Sequence, residues 1–194
     1  MYKIKEKGCP DIPVITLTDY INTNGYYPKI EFNVCYSENG FHVHFVAHEK
    51  NPKATATRHF EMVHLDSCLE WFVIFDPEHS DRYFNFEVNP NGIMNVSFRK
   101  DRYDKIDLTE EDLQLLGIKT EIFDEYWTAD YTVTFDFIKK YIPDYEFKKG
   151  MTLPSNVYKC GDETEFPHWG CWCMVDREKP DFHKPEYFGT MVIE

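Results

Sequence analysis

Residues 66–92 read DSCLEWFVIFDPEHSDRYFNFEVNPNG, and the fold is decided there. Two apolar runs, about 67–75 and 82–89, flank the turn-forming segment Asp76-Pro77-Glu78-His79-Ser80. Their length and their Phe, Val, Ile and Trp content predict neighbouring strands. The first run is apolar on both faces, with Leu69, Trp71, Val73 and Phe75 on one and Cys68, Phe72 and Ile74 on the other. Such a strand lies mid-sheet with both sides covered. Glu70 interrupts it. An unpaired buried charge is costly, so this carboxylate needs a partner. Arg82, Arg99, a ligand hydroxyl or a cation would each serve. The second run places Tyr83, Asn85, Glu87 and Asn89 on one side, opposite Phe84, Phe86 and Val88. That polar row is either an ordinary solvated face or a set of directional hydrogen-bonding groups on a rigid support.

Period-two alternation continues outward in both directions. Ile12–Thr18 reads as a first strand. Lys29–Tyr36 and Phe41–His48 form a hairpin around Ser37-Glu38-Asn39-Gly40, and His59–Val63 is a short strand or an irregular stretch. Asn89-Pro90-Asn91-Gly92 turns the chain into a strand at Ile93–Arg99, with Asn95, Ser97 and Arg99 on one side. Residues 107–116 form a short peripheral helix that Thr109 caps and Gly117 ends, and one helical turn is expected at Asp136–Tyr141. Further strands are expected at Tyr126–Phe135, Ser155–Cys160, Cys171–Val175 and Gly189–Ile193. About ten short strands with regular turns predict an all-β, jelly-roll-like antiparallel sandwich, with a closed barrel as the alternative. The length of 194 residues suits a single domain over 1–194.

Thirteen Tyr, sixteen Phe and four Trp suit strands and stacking surfaces. The net charge of −13 repels phosphate backbones and anionic lipid, which argues against nucleic acid and membrane partners. It also serves solubility. Six cysteines without a Cys-x-x-Cys pair predict free thiols rather than a zinc framework or a disulfide scaffold. The start, MYKIKEKGCPDIPVITL, lacks the apolar core of a signal peptide. A cytoplasmic protein is therefore the simplest expectation, with secretion open if a leader has been removed. Oligomeric state is not encoded in any pattern seen here.

His42, His44 and His48 raise a metal site on the outer face of the hairpin, but no carboxylate follows at short spacing. Trp169, Trp172, Phe182 and His183 cluster late in the chain. Alternation puts Trp172 and Met174 on one face, so Trp172 is expected to be the more buried of the two rings and Trp169 the surface one. A flat ring beside polar groups suits a sugar, whose C–H face packs on it. The motifs of serine hydrolases, zinc proteases, phosphate loops and dinucleotide sites are absent from the sequence.

Five ordered segments resemble carbohydrate-binding module family 9, a family often attached to xylanases. They are HEKNP (48–52), LDSCLEWFVIFDP (65–77), YFNFEVNPNG (83–92), NVYKCGDE (156–163), and HWGCW with PDFHKPEYFGTMVI (168–193). The resemblance implies a jelly-roll-like sandwich and non-catalytic binding of a plant cell-wall oligo- or polysaccharide of xylan or cellulose type. It implies no required cofactor, with calcium in a structural role. Carried over by position, the polar grip is Glu70, Asn85, Glu87 and Asn89. His64 stands where the family's first sandwiching ring would be, and Phe182-His183 near the second. Trp169 completes the expected set. Two alternatives remain at this point: a glycan hydrolase using Glu70 and Glu87 as an acid/base pair, and a haem- or small-ligand-binding relative using His64 or Met94.

Overall fold

Alternation becomes architecture strand by strand. The computed structural model describes residues 1–21 and 24–194. Among these, strands form at β1 (Tyr2–Glu6), β2 (Ile15–Thr16), β3 (Asp19–Ile21), β4 (Ile30–Ser37), β5 (Gly40–Ala47), β6 (Cys68–Val73) and β7 (Tyr83–Val88). They continue with β8 (Met94–Arg99), β9 (Lys105–Asp107), β10 (Lys119–Ile122), β11 (Trp127–Thr134), β12 (Thr152–Gly161), β13 (His168–Cys171) and β14 (Gly189–Ile193). The helices are α1 (Glu110–Leu116) and α2 (Phe135–Tyr141).

One sheet runs β10-β11-β5-β4 and the other β14-β12-β6-β7-β8-β9, with β13 and β3 extending from β12. The two are joined by β1. Its first half pairs with β14 (Tyr2↔Met191), and its second half pairs with β4 (Lys5↔Cys35). Both pairings are parallel, so the antiparallel, jelly-roll-like sandwich expected from the sequence carries one parallel strand, which makes the sheet mixed. The reason is connectivity. Long excursions separate β1 from both partners, and a parallel pair requires a long connection of that kind.

The inner faces interdigitate as a single core. Phe32, Val34 and Phe45 from one sheet meet Trp71, Val73, Phe84 and Phe86 from the other. Trp71 lies 5.7 Å from Phe86 and 5.9 Å from Phe32. Its indole N–H donates to Ser155 Oγ at 2.8 Å, so the buried ring leaves no orphan donor. Capping sets the start of α1. Thr109 Oγ1 accepts from Asp112 N while an Asp112 carboxylate oxygen accepts from Thr109 N, and Gly117 ends the helix in the left-handed region.

Several sequence expectations shift. Ile12–Thr18 narrows to β2, His59–Val63 becomes irregular chain leading into a 3-10 turn (Val63–Leu65), and the strand expected at Cys171–Val175 lies at His168–Cys171. Trp172 and Trp169 are both half-buried, Trp172 packed against the main core and Trp169 outside it. β1, β9 and β10 are too rich in charge for their short alternation to stand out.

The hairpin turn before β5 leaves no room for a side chain at Gly40. A Cβ there would run into the backbone carbonyl oxygen of Val133 and sit 2.6 Å from Thr134 Cα, both backbone atoms of the neighbouring β11. Gly40→Ala is expected to cost about 1–3 kcal/mol, the range for overpacked sites. A urea melt checks it, and an unchanged midpoint would show that the two strands separate freely there.

Candidate functional site

The outer face of the second sheet carries the site. Alternation that sends Trp71, Phe84, Phe86 and Val96 into the core sends Glu70, Asn85, Glu87, Asn95 and Arg99 the other way. Register then sets Glu70 directly opposite Glu87, and Glu87 opposite Asn95. The floor is thus three adjacent strands with carboxyl and amide groups side by side.

The chain closes over that floor. A cavity of about 490 Å3 lies above it, within the ~300–1,000 Å3 common for small-molecule sites. Floor and walls come from Glu70, Glu87, Asn95, Arg99, Cys160 and Asp162. His64, Trp169, Phe182, His183 and Pro180 supply rings and roof, and Arg102 and Lys105 stand at the β8–β9 side. The rings are held in place. Trp169 Nε1 donates to Asp162 Oδ1 at 2.7 Å. Phe182 stacks on Tyr158 at 4.1 Å and 11°. His183 lies over Phe72 at 5.2 Å, with Nδ1 2.9 Å from Tyr83 Oη. Asp181 fastens the roof, accepting from Arg102 Nη2 at 2.6 Å and from the backbone N–H of His183 at 2.9 Å.

The model for carbohydrate-binding family 9 matches residues 11–193. The chain belongs to this family. A protein from Bacteroides uniformis described as carbohydrate-binding superposes with a TM-score of 0.79 at 25 % identity, over 100 % of this chain and 97 % of that one. A family 9 module from Caldicellulosiruptor kristjanssonii in complex with cellotriose gives a TM-score of 0.71 at 10 % identity, over 100 % of this chain and 93 % of its own. A family 9 module from the same organism in complex with glucose gives 0.69 at 10 % identity, over 99 % and 95 %. At 10 % identity these two speak to the fold alone. No curated protein matches the chain.

Of the eight residues singled out in this family 9 sequence, six meet at the cavity: His64, Glu70, Glu87, Trp169, Phe182 and His183. Asn85 lies beneath it. Its amide nitrogen donates to Glu87 Oε1 at 2.6 Å, and its oxygen accepts from Ser97 N, Ser97 Oγ and Arg99 Nε. It positions the floor rather than lining the cavity. Asn89 is corrected to a structural role. Fully buried, it donates to Asp66 Oδ2 and Ala56 O and accepts from Asn91 N and Ile93 N, so it holds the turn that follows β7. Sequence reasoning missed Asn95, Arg99, Arg102, Lys105, Cys160 and Asp162 as lining groups. For Asn95 and Arg99 the signal was present, because both alternate outward on β8.

Three other expectations resolve. Neither arginine pairs with Glu70. Arg82 bonds Asp104 at 2.7 Å, and the Arg99 Nε is spent on Asn85 and Ser97. Met94 is fully buried in the inner core, on the face of the sheet away from the cavity, and so cannot serve a ligand there. The histidines of the hairpin are spent separately: His42 on Thr132 and Ser37, His44 on Asp130, and His48 on Glu31. Among the described residues no three His, Cys, Asp or Glu side chains form a group able to hold a metal ion.

A second cavity, of about 550 Å3, opens beside His48, Lys50, Lys53 and Glu125. Its buried Glu49 is already engaged, accepting from Ser67 Oγ at 2.6 Å and Trp127 Nε1 at 3.0 Å and facing Lys159 Nζ at 3.4 Å. The first cavity differs in its floor, where Glu70, Glu87 and Asn95 stand side by side on three adjacent strands.

Glu70 is 2 % exposed. Burial, and then the facing Glu87, push its carboxyl well above the usual 4.5. Nearby, burial also raises the thiols of Cys68 and Cys160 and the carboxyl of Asp162. His183 is driven down to about 3 by burial and by Arg99 and Arg102, so it is neutral at physiological pH. The sign for Glu70 follows from linkage. At pH 4.5 and below, folded and unfolded chains both tend to hold the proton. As pH rises, the unfolded chain releases it first, and stability falls until the folded carboxyl titrates. Glu70→Gln removes this loss. It is expected to stabilise the fold at neutral pH by on the order of 1 kcal/mol, or about 2–4 °C in Tm. The gain should shrink toward pH 4.5. Thermal melts across that range decide, and a gain that is equal at every pH contradicts the assignment.

Proposed function

We propose that this family 9 domain binds carbohydrate without transforming it, in the cavity over Glu70 and Glu87. One observation carries the reading: polar side chains fixed on three rigid strands face aromatic rings across an open space of ligand size. Sugars present this pair of surfaces, hydroxyls around the ring edge and C–H groups on its face. Both Glu87 oxygens are oriented, Oε1 by Asn85 at 2.6 Å and Oε2 by Asn95 at 3.0 Å. Hydroxyl donors therefore meet acceptors that are already aimed, which reduces the ordering cost of binding. Glu70, whose carboxyl burial and the facing Glu87 push well above its usual range, stands beside them. Trp169, tied to Asp162, is the ring best placed as a platform.

The ligand class inferred is an oligo- or polysaccharide of plant cell-wall type. The cellotriose and glucose complexes of the family 9 modules from Caldicellulosiruptor kristjanssonii support that choice. Register sets Glu70 opposite Glu87, but membership of a binding family favours recognition over hydrolysis.

Isothermal titration against a panel of cello-, xylo- and uronic-acid-containing oligosaccharides should give saturable heat with at least one. Trp169→Ala should weaken that binding about tenfold or more, roughly 1.4 kcal/mol, and incubation with the same sugars should release no new reducing ends. Folded protein that is silent toward every member of the panel overturns the reading.

A further inference from the structure

We infer that the sugar held in this cavity carries a carboxylate, a uronic acid residue whose acid group is met by Arg99. The inference rests on the carbohydrate-binding reading above. It begins from an imbalance of charge. Arg99 is 6 % exposed, so most of its side chain is withdrawn from bulk solvent. Nε donates to Asn85 Oδ1 at 3.0 Å and Ser97 Oγ at 2.8 Å, and Nη1 donates to the Arg102 carbonyl at 3.1 Å. All three acceptors are neutral. Among the described residues Nη2 has no hydrogen-bond partner, and no carboxylate oxygen lies within 4.0 Å of the guanidinium. The neighbouring cations differ. Arg102 is paired with Asp181 at 2.6 Å, Lys105 with Asp107 at 2.6 Å, and Arg82 with Asp104 at 2.7 Å.

A buried cation without a counter-charge is costly. It is fixed here by three hydrogen bonds, and it lines the cavity. A sugar hydroxyl would satisfy the free Nη2 protons but leave the charge uncompensated. A carboxylate satisfies both, and charge-assisted bonds of this type are about twice as strong as neutral ones. The other carboxyl groups of the cavity, Glu87 and Asp162, lie more than 4.0 Å from the guanidinium. His183, on the adjacent wall, is uncharged at neutral pH.

The floor also gives the ligand a direction. The Asn85 amide separates the two ends, its nitrogen on Glu87 and its oxygen on Arg99. Hydroxyl donors belong at the Glu87 end, and an acid group belongs at the Arg99 end. The overall charge of −13 opposes any anion at long range. Beyond ~8–10 Å physiological salt screens that field, so the local pair sets the preference.

Three ligands matched except at C6 test this on the unmodified protein: methyl glucuronide, its uncharged methyl ester and methyl glucoside. The glucuronide is expected to bind about tenfold or more tighter than either of the others. In Arg99→Lys, which keeps the charge but loses the fork, that ratio should fall toward one. Equal or tighter binding of the glucoside or the ester overturns the inference. So does absence of binding by all three when neutral oligosaccharides bind, and in both cases carbohydrate binding itself stands. If no saccharide of any kind binds, it is the carbohydrate reading that fails. The comparison among the three ligands decides even if the variant does not fold.

Discussion

A strand buried on both faces needs two covers, and everything distinctive about this domain follows from how β6 and β7 obtain theirs. The first cover is the opposite sheet, which packs Phe32 and Phe45 against Trp71 and Phe86. The second is the chain's own late segment, which lays Phe182 on Tyr158 and His183 on Phe72. That second cover is incomplete over Glu70 and Glu87. Where it stops short, a sheet face that would otherwise be core becomes the floor of a cavity. Polar side chains survive there because each has been given a bonded neighbour or an open space.

The central strands were legible in the sequence because their signal is local. Period-two alternation placed Glu70 and Glu87 on a shared face without any knowledge of the roof. The roof was not legible. Arg102 reaches Asp181 across 79 residues, and Asp162 meets Trp169 at a junction set by the pairing of β12 with β13. Alternation also cannot tell a polar residue that looks into a cavity from one wrapped in its own hydrogen bonds. Asn85 and Asn89 share the parity of Glu87, yet one lies under the floor and the other holds a turn. The parallel course of β1 escaped for a related reason, since its partners lie at the far end of the chain and past a long excursion.

The Asn85 amide shows how little hardware is needed to organise opposite charges. A single side chain without charge donates toward the carboxyl of Glu87 and accepts from the guanidinium of Arg99, which fixes both and keeps them from collapsing onto each other. A direct Arg–Glu pair would neutralise the floor and close it. With an amide inserted, each charged group keeps one side free. Beside it, burial, and then the register that sets Glu70 against Glu87, push one carboxyl of the floor well above its usual range.

The stitching strand β1 has a mechanical consequence. It runs parallel to β14, with Tyr2 beside Met191 and Ile4 beside Ile193, and Glu194 N bonds back to Ile4 O at 2.9 Å. A pull applied at the two ends of this chain therefore slides one strand along the other. The hydrogen bonds between them are loaded together, in shear, instead of opening one at a time like a zipper. A domain that holds a ligand while being tugged from both ends resists best with its terminal strands arranged this way.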